Sequence, residues 1–419
     1  MSHFIVTGGK RLSGTVAVSG SKNAALPMMA ASILAGQPVQ LEGVPHLADV
    51  DTLSLVLGDL GVEVLRTPGG GLRLETVDPA PVRAGYELVR RMRASFCVLG
   101  PLLARRGKAI VSLPGGCNIG PRPVDLHLKG LAALGADLRI QYGYVIARAT
   151  RLRGAEICLD GPHGATVTGT ANVMSAAVLA EGTTAITGAA IEPEIVDLGS
   201  FLNRLGARIE GLGTPTIRIT GVKELGGAAY RVIPDRIEAA TLLLAAAITG
   251  GSATVTGVVP GQLAGVLAKL EAAGSHVEVA DDRVAIRAAF PPQPVEIAAL
   301  PYPGVPSDLQ AQFMALLALA QGRSMVSDQV FPSRFMHVAE LNRLGAHIET
   351  CDGAAIVHGV ERLTGATVMA SDLRASAALV LAGLAAEGET TVDRIHHLDR
   401  GYEHLDRKLN LLGAQIERS

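Results

Sequence analysis

The sequence contains 419 residues, of which 48% are hydrophobic, 18% are charged and 3% are aromatic, with no Trp. This length and apolar content suffice for two or three enclosed cores, which excludes a disordered chain. The formal net charge is -2, from 37 basic and 39 acidic residues, which argues against a broad surface for nucleic acid or for an anionic membrane.

The amino-terminal segment shows no secretion signal. Residues 1–20 contain no basic stretch followed by a continuous apolar run. The longest uncharged run begins at Ala239 and reaches Gly250 after about ten residues, short of the roughly twenty that span a bilayer. We therefore expect a soluble, cytoplasmic protein without a membrane segment.

The first predicted helix begins within residues 20–27, where Lys22 and Asn23 stand beside the backbone amides of a helix start. Such a place suits an anion. An ordinary capped helix with a solvated lysine is the alternative interpretation. The upstream residues 8–10, Gly-Gly-Lys, lack the spaced glycine of a nucleoside triphosphate loop, so that ligand is not indicated.

An internal repeat runs through the whole chain. Its marker is a helix end, a glycine and then an alternating strand, and the marker recurs about every seventy residues. The marker glycines are Gly61, Gly135, Gly206, Gly274, Gly345 and Gly413. A glycine that ends a helix adopts the left-handed conformation without a Cβ penalty. Each repeat is predicted to hold two helices and several strands, and six repeats divide naturally into three plus three.

Repeats of this length cannot bury their apolar faces alone, so they must stack on or close around one another. A break between two lobes is predicted near residues 226–229, where small residues precede a new apolar run. A cleft between two such lobes is the expected binding site.

The four cysteines show neither metal-ligand spacing nor a disulfide framework. Cys97 and Cys158 are flanked by apolar residues and are predicted to lie in the core, and Cys351 is predicted at a strand end. Cys117 alone lies in a predicted loop, residues 113–123, which contains three Gly and three Pro. A nearby arginine and exposed loop amides favour its thiolate, whereas an incidental loop cysteine is the alternative.

Arginines recur shortly before the second helix of several repeats. Arg122, Arg334 and Arg400 stand 11 to 13 residues ahead of a marker glycine. If the repeats close around a centre, the three guanidinium groups converge, and such a cluster binds phosphate and carboxylate groups bidentately. Three unrelated surface arginines are the alternative.

A turn rich in Pro and Gly, residues 302–306, leads into a helix predicted over residues 309–320. Asp308 at this junction is predicted first as the N-cap of that helix. A general base is the alternative role for its carboxylate.

Five ordered motifs together resemble the UDP-N-acetylglucosamine 1-carboxyvinyltransferase family over essentially the whole chain. They are Ser-Lys-Asn-Ala-Ala-Leu-Pro at residues 21–27, Pro-Gly-Gly-Cys at 114–117, Arg-Pro-Val-Asp-Leu-His at 122–127, Pro-Ser-Asp-Leu-Gln-Ala-Gln at 306–312 and Asp-Arg-Gly-Tyr-Glu at 399–403. The resemblance implies an inside-out α/β barrel of two lobes with three repeats each. The amino-terminal strand then joins the second lobe, so the expected lobes are residues 22–229 and residues 1–21 plus 230–419.

The resemblance implies an enzyme that moves the enolpyruvyl group of phosphoenolpyruvate to the 3-hydroxyl of UDP-N-acetylglucosamine by addition and elimination, with release of phosphate. This is the first committed step of peptidoglycan synthesis. No cofactor and no metal are expected, and the expected partners are the two small-molecule substrates, without nucleic acid or membrane. The expected assembly is a monomer or a weak homo-oligomer.

The resemblance also implies roles for individual residues. Cys117 matches the proton donor, which can carry a covalent phosphoenolpyruvate adduct, and Asp308 matches the acceptor of the hydroxyl proton. Lys22, Arg122 and Arg400 match a clamp for phosphate and carboxylate, with Lys22 and Arg400 among the catalytic groups. The remaining substrate-binding positions are Asn23, Arg93, Pro123, Val124, Asp125, Leu126, His163, Gly164, Val330, Arg334 and Arg374.

One departure and two alternatives accompany the resemblance. Residues 159–164, Leu-Asp-Gly-Pro-His-Gly, replace a Ser-Val-Gly pattern of many members, so the diphosphate contacts stay open there. The related 3-phosphoshikimate enolpyruvyl transferases share the six-repeat architecture and the donor, but they lack the cysteine loop and the Pro-Val-Asp-Leu-His stretch. A catalytically idle paralogue that binds nucleotide sugar is the second alternative.

Overall fold

The structure, a computed structural model, describes residues 2–115, 123–162 and 164–419. These residues form two compact units. The N-unit comprises residues 20–115, 123–162 and 164–233, and the C-unit comprises residues 2–19 and 234–419. Among the described residues, the C-unit ends at Ser19 and resumes at Pro234.

Helices occur throughout both units. The α-helices of the described residues are α1 (Lys22–Ala31), α2 (Ala48–Asp59), α3 (Tyr86–Val89), α4 (Leu99–Arg106), α5 (Asp125–Ala133), α6 (Val167–Ala177), α7 (Pro193–Arg204), α8 (Arg236–Ile248), α9 (Ala264–Ala272), α10 (Gln310–Leu317), α11 (Val338–Arg343), α12 (Leu373–Ala385) and α13 (Leu405–Leu411). Short 3-10 helices cover Ser32–Leu34, Arg93–Val98, Pro260–Leu263, Ser307–Leu309 and Ile395–Arg400. Within the described ranges no helix has the length and apolar character needed to cross a membrane.

The strands are short. They are β1 (His3–Thr7), β2 (Ser13–Ala17), β3 (Val39–Glu42), β4 (Val62–Arg66), β5 (Leu72–Thr76), β6 (Arg83–Ala84), β7 (Lys108–Ser112), β8 (Asp137–Gln141), β9 (Tyr144–Arg148), β10 (Glu156–Cys158), β11 (Asp160–Gly161), β12 (Gly164–Ala165), β13 (Thr183–Thr187), β14 (Arg208–Glu210), β15 (Thr216–Thr220), β16 (Ala229–Arg231), β17 (Ser252–Thr256), β18 (His276–Ala280), β19 (Arg283–Arg287), β20 (Glu296–Ala299), β21 (Arg323–Asp328), β22 (His347–Cys351), β23 (Ala354–His358), β24 (Thr367–Met369), β25 (Glu389–Asp393) and β26 (Gln415–Arg418).

Each unit holds three four-stranded sheets built on one pairing pattern. The N-unit sheets have the orders β16-β3-β5-β4, β6-β7-β9-β8 and β10-β13-β15-β14, and the C-unit sheets have the orders β2-β17-β19-β18, β20-β21-β23-β22 and β24-β25-β1-β26. In every sheet the first two strands are parallel and the other two pairs are antiparallel. The common pattern confirms the prediction of six repeats, three in each unit.

The repeat glycines terminate the helices that precede β4, β8, β14, β18, β22 and β26. All six have a positive φ, between 74° and 108°. Only glycine adopts this conformation without strain, and it turns the chain from the helix into the following strand. The predicted role of these glycines is therefore confirmed.

Each unit has its own hydrophobic core, built around buried helices. In the C-unit, α8, α10 and α12 pack on one another, and every residue from Ile237 to Ile248 and from Leu373 to Leu384 is buried. Helices that are buried on all sides are enclosed by the rest of the unit, and their many alanines allow close approach. Helices inside and sheets outside are the arrangement of an inside-out α/β barrel.

Candidate active site

The predicted site residues fall in both units. Three of them, Cys117, Arg122 and His163, lie outside the described residues. The N-unit carries Lys22, Asn23, Arg93, Pro123, Val124, Asp125, Leu126 and Gly164. The C-unit carries Asp308, Val330, Arg334, Arg374 and Arg400. Within the C-unit, the structure brings Asp308, Arg334 and Arg374 into direct contact.

Asp308 is held between two guanidinium groups. Its Oδ1 accepts a hydrogen bond from Nη1 of Arg334 at 3.0 Å, and its Oδ2 accepts one from Nε of Arg374 at 3.2 Å. The side chains of Arg334 and Arg374 are 8% and 1% exposed, whereas that of Asp308 is 28% exposed. The carboxylate is therefore the most accessible of the three groups.

A second acid, Asp328 at the end of β21, supports this arrangement. Its Oδ1 accepts from the backbone amides of Val330 and Phe331, at 3.0 and 2.7 Å, and its Oδ2 accepts from the Ser307 hydroxyl. Ser307 in turn accepts from Nη1 of Arg334 at 3.2 Å. Burial raises the pKa of Asp328 and outweighs the hydrogen bonds that lower it.

A third acid, Asp372, lies on the other side of Arg334. Its Oδ1 is 3.5 Å from Nη2 of Arg334, and the same oxygen caps α12 by accepting from the amides of Arg374 and Ala375. Burial lowers the pKa of Arg334, but the carboxylates of Asp308 and Asp372 raise it overall. Arg334 is therefore a permanent cation held between two anions.

Arg374 has buried N–H groups that make no hydrogen bond among the described residues. Its guanidinium carbon lies 5.0 Å from the centre of the Tyr402 ring, and the Tyr402 hydroxyl is engaged with Thr241 and Gln312 at 3.0 and 3.1 Å. In the part of the chain that the structure describes, both Nη atoms of Arg374 are buried and lack a hydrogen-bond acceptor. Because an unsatisfied buried donor is costly, these N–H groups suit an anionic ligand.

The interpretation of Asp308 as a helix N-cap is wrong. The short helix Ser307–Leu309 follows Pro306, and α10 follows Leu309, and neither start is capped by a side chain. Both oxygens of Asp308 are engaged instead by the guanidinium groups of Arg334 and Arg374. Sequence alone did not indicate that α12 and the segment after β21 would place arginines beside this turn.

The other C-unit candidates lie close by in sequence or space. Val330 is half-buried, and its amide is fixed by Asp328. Arg400 is half-buried at the end of the helix Ile395–Arg400, two residues before Tyr402, whose ring lies beside Arg374.

In the N-unit, Lys22 is the first residue of α1, after the N-cap Ser21. Its Nζ lies 3.0 Å from Oδ2 of Asp49 in the first turn of α2, and the two residues are 7% and 3% exposed. The interpretation of Lys22 as a solvated lysine is wrong, because the ammonium is buried and balanced by a buried carboxylate. Asn23 follows it and is half-buried.

Three separate N-unit segments meet around the start of α5. Nη2 of Arg93 donates to the carbonyl of Pro123 at 2.9 Å. A Cβ placed on Gly161 would lie 3.0 Å from Cδ1 of Leu126, so the hairpin of β11 and β12 packs against the first turn of α5. Gly164 in this hairpin has a φ of +87°. Val124 is half-buried and Asp125 is exposed in the same neighbourhood.

His127 is part of the sequence motif but serves the scaffold. Nδ2 of Asn172 donates to its Nδ1 at 2.9 Å, and its Nε2 lies 3.2 Å from the Thr168 hydroxyl. Burial, followed by the nearby charge of Arg93, lowers the pKa of His127 to about 3. The neutral ring therefore ties α5 to α6 and is not a proton donor near neutral pH.

The described cysteines differ in accessibility. Cys97 is 3% exposed, and burial raises the pKa of its thiol to about 12, as expected for the core. Cys158 is exposed, so its predicted core position is wrong: β10 alternates, and Ile157 and Leu159 take the buried positions. Cys351 is exposed at the end of β22, as predicted.

Comparison with known proteins places this chain in a family. The family model described as EPSP synthase (3-phosphoshikimate 1-carboxyvinyltransferase) matches residues 6–409. The chain belongs to this carboxyvinyltransferase family. A curated carboxyvinyltransferase, the UDP-N-acetylglucosamine 1-carboxyvinyltransferase of Geobacter metallireducens (strain ATCC 53774 / DSM 7210 / GS-15), is 52% identical over 418 residues, which cover 100% of this chain and 99% of the relative.

Solved carboxyvinyltransferase-like structures share the fold. The enolpyruvyl transferase NikO from Streptomyces tendae is 29% identical, with a TM-score of 0.89 over 100% of this chain and 99% of that one. An EPSP synthase from Acinetobacter baumannii is 19% identical, with a TM-score of 0.75 over 100% of both chains, and this likeness concerns the fold alone. The inside-out α/β architecture is thus common to the family.

Proposed function

We propose that this carboxyvinyltransferase transfers the enolpyruvyl group of phosphoenolpyruvate to the 3-hydroxyl of UDP-N-acetylglucosamine and releases phosphate. The observation that carries the proposal is the 52% identity, over the whole chain, to a relative named for this acceptor. Phosphate and the enolpyruvyl ether are the products. The step commits nucleotide sugar to peptidoglycan synthesis. The enzyme is assigned to the cytoplasm, as a monomer or weak homo-oligomer.

The reaction needs two proton transfers and strong charge compensation. A proton adds to C3 of phosphoenolpyruvate while the sugar oxygen bonds to C2, and the hydroxyl proton leaves to a base. The tetrahedral species then loses a proton from C3 and expels phosphate through cleavage of the C2–O bond. Preorganised cations stabilise the phosphate and carboxylate throughout, without a metal or cofactor.

Asp308 is proposed as the acceptor of the hydroxyl proton. Its side chain is 28% exposed, so a sugar hydroxyl can reach it, while Arg334 and Arg374 fix its orientation. The carboxylate is proposed to accept the hydroxyl proton as the sugar oxygen bonds to C2. Cys117 is proposed as the proton donor to C3 and as the residue that can carry a phosphoenolpyruvate adduct.

The anionic substrates are proposed to bind the cations. The unsatisfied Nη atoms of Arg374 suit a carboxylate or phosphate oxygen. Lys22, Arg122 and Arg400 complete the proposed clamp; because Lys22 already contacts Asp49, its ammonium must be shared between that carboxylate and the phosphate. The nucleotide sugar is assigned to Asn23, Arg93, Pro123, Val124, Asp125, Leu126, His163, Gly164 and Val330.

Steady-state phosphate release with alternative acceptors tests the function. With phosphoenolpyruvate present, UDP-N-acetylglucosamine should support continuous release and 3-phosphoshikimate should not. Phosphate release with 3-phosphoshikimate, and none with UDP-N-acetylglucosamine, would instead assign the 3-phosphoshikimate 1-carboxyvinyltransferase activity that describes the family model. Binding of nucleotide sugar without phosphate release would indicate an idle paralogue.

A further inference from the structure

The C-unit sheet β20-β21-β23-β22 carries two histidines side by side, outside the site described above. His347 on β22 and His358 on β23 are partners in register, and their rings stack at 24° with centroids 4.5 Å apart. Glu349 lies two residues after His347 and therefore points to the same face of the sheet. The side chains of His347, Glu349 and His358 are 61%, 64% and 35% exposed.

The three side chains approach metal-ligand spacing. Oε1 of Glu349 lies 3.4 Å from Nε2 of His347 and 3.8 Å from Nε2 of His358. The three ligand atoms all lie within 4.8 Å of one another. Two ligands of a tetrahedral zinc ion, each about 2.0–2.1 Å from the metal, lie about 3.4 Å apart. Rotations of the exposed His347 and Glu349 side chains and of the half-buried His358 side chain would bring the three atoms to this spacing.

We propose that His347, Glu349 and His358 bind a divalent transition metal, with zinc as the ion that fits best. Two imidazole nitrogens and one carboxylate oxygen are ligands that zinc accepts, and water completes the tetrahedron. Calcium and magnesium prefer sets of oxygen ligands, which this face does not offer at the histidine pair. An occupied site links β22 to β23.

A neighbouring repeat provides an internal comparison. His276 and Glu278 on β18 form the same pair, with Nε2 and Oε1 3.2 Å apart. The register partner of His276 is, however, Arg287 on β19, where His358 stands in the other sheet. A guanidinium group donates hydrogen bonds only and repels a cation, so this second pair lacks a third ligand.

A cation also lies beside the proposed site. Arg323 on β21 is the register partner of His358, and partners in register share a face of the sheet. Its positive charge opposes metal binding, so Arg323→Gln should tighten zinc binding severalfold.

Calorimetric titration of zinc chloride into the untagged, full-length, metal-free protein tests the proposal. We expect one ion per chain, and at least about tenfold weaker binding in His347→Ala, Glu349→Gln and His358→Arg, with His276→Ala unchanged. Zinc should raise the melting temperature of the unaltered protein but not that of His358→Arg. Melting curves without metal show whether these exposed substitutions leave the fold intact.

A gain of binding provides a second, independent readout. Arg287→His places a second imidazole opposite His276 and should add a second zinc ion per chain, because the strand register is equivalent. Zinc affinity and stoichiometry that stay the same in His347→Ala, His358→Arg and Arg287→His would overturn the proposal, since any zinc would then be bound elsewhere, for example by thiols.

Discussion

Asp308 has the least ambiguous environment of the proposed catalytic residues. Both of its oxygens accept hydrogen bonds from guanidinium groups, and a buried network of Ser307 and Asp328 holds one of those groups in place. The same carboxylate thus stabilises the fold by balancing two buried cations and is also accessible to a substrate. A substitution must separate these two contributions.

Asp308→Asn should lower turnover at least about tenfold, because the amide cannot take a proton. It should also lower the free energy of unfolding by about 1–3 kcal/mol, since two buried cations lose a counter-charge that is itself partly exposed. Phosphate release and chemical denaturation measure the two effects.

Ser307→Ala is the matched control for Asp308→Asn. It removes an acceptor from the same Nη1 of Arg334 and leaves the carboxylate in place. Stability should fall by a similar amount, with much of the turnover kept. Normal turnover and a sharply lower melting temperature in Asp308→Asn would assign the carboxylate a structural role alone.

Cys117 should be the cysteine that an epoxide phosphonate such as fosfomycin alkylates with loss of activity. Cys158 and Cys351 are exposed, so accessibility alone does not protect them, whereas the pKa of Cys97 is raised to about 12. Peptide mapping after inactivation locates the adduct. Cys117→Asp keeps a proton donor but no nucleophile, so activity with resistance to the epoxide is expected.

A paired variant, Cys158→Ser with Cys351→Ser, is the control for the alkylation. It should be inactivated at the rate of the unaltered protein. Inactivation that tracks modification at Cys158 or Cys351, with Cys117 unmodified, would exclude Cys117 as the reactive thiol.

The marker glycines differ in backbone conformation from glycines inside helices. Gly135 has a φ of +95°, and a Cβ placed there would meet nothing within 4 Å, so backbone conformation is the only obstacle to a side chain. Gly135→Ala should therefore lower the free energy of unfolding by about 1 kcal/mol.

Gly58 provides the opposite control for Gly135. It lies within α2, and a Cβ there would also meet nothing within 4 Å. Gly58→Ala should raise the free energy of unfolding by about 0.5–1 kcal/mol, because alanine favours the helix and restricts the unfolded chain. Equal changes for the two variants, measured by denaturant titration, would contradict the assigned backbone role.

The repeat was predictable from sequence because it is local. A helix end, a glycine and an alternating strand are each encoded within about ten residues, and the pattern was recognisable because it recurs six times. The assignment of Cys158 to the core failed because an isolated three-residue strand does not reveal which of its faces is buried.

The site was only partly predictable, because its contacts join distant segments. Asp308, Arg334 and Arg374 meet through three elements, and nothing near Asp328 or Asp49 in sequence marks them as partners of Ser307 and Lys22. Asp372 before α12 is a residue type that favours the N-cap of a helix, but this preference does not predict its contact with Arg334.

The two units differ in how the chain builds them. The described residues of the N-unit all lie between residues 20 and 233, and the unit has its own hydrophobic core. A fragment of residues 20–233 should therefore fold alone and unfold cooperatively, as followed by circular dichroism. Loss of the cooperative transition would show that its core is insufficient without the remainder of the chain.

The C-unit depends on the amino-terminal strands. β1 lies between β25 and β26, and β2 pairs with β17, so a fragment of residues 234–419 leaves two sheets incomplete and should aggregate. His3 and Ser419 exchange backbone hydrogen bonds at 2.9 and 3.0 Å. Residues 2–19 joined to the end of this fragment, through a linker of about five Gly and Ser residues after Ser419, should therefore restore folding. A soluble, cooperatively folded 234–419 fragment without these strands would contradict the assigned role of β1.

The most direct test of the proposed reaction is the mass of the product formed from phosphoenolpyruvate and UDP-N-acetylglucosamine in deuterated water. Addition and elimination first convert the C3 methylene into a methyl group by adding a solvent-derived proton and then remove one proton from it. We expect nucleotide sugar enlarged by one carboxyvinyl group, with deuterium in the vinyl methylene of part of the product. A phosphorylated nucleotide sugar, or a carboxyvinyl product without deuterium in the methylene, would contradict it.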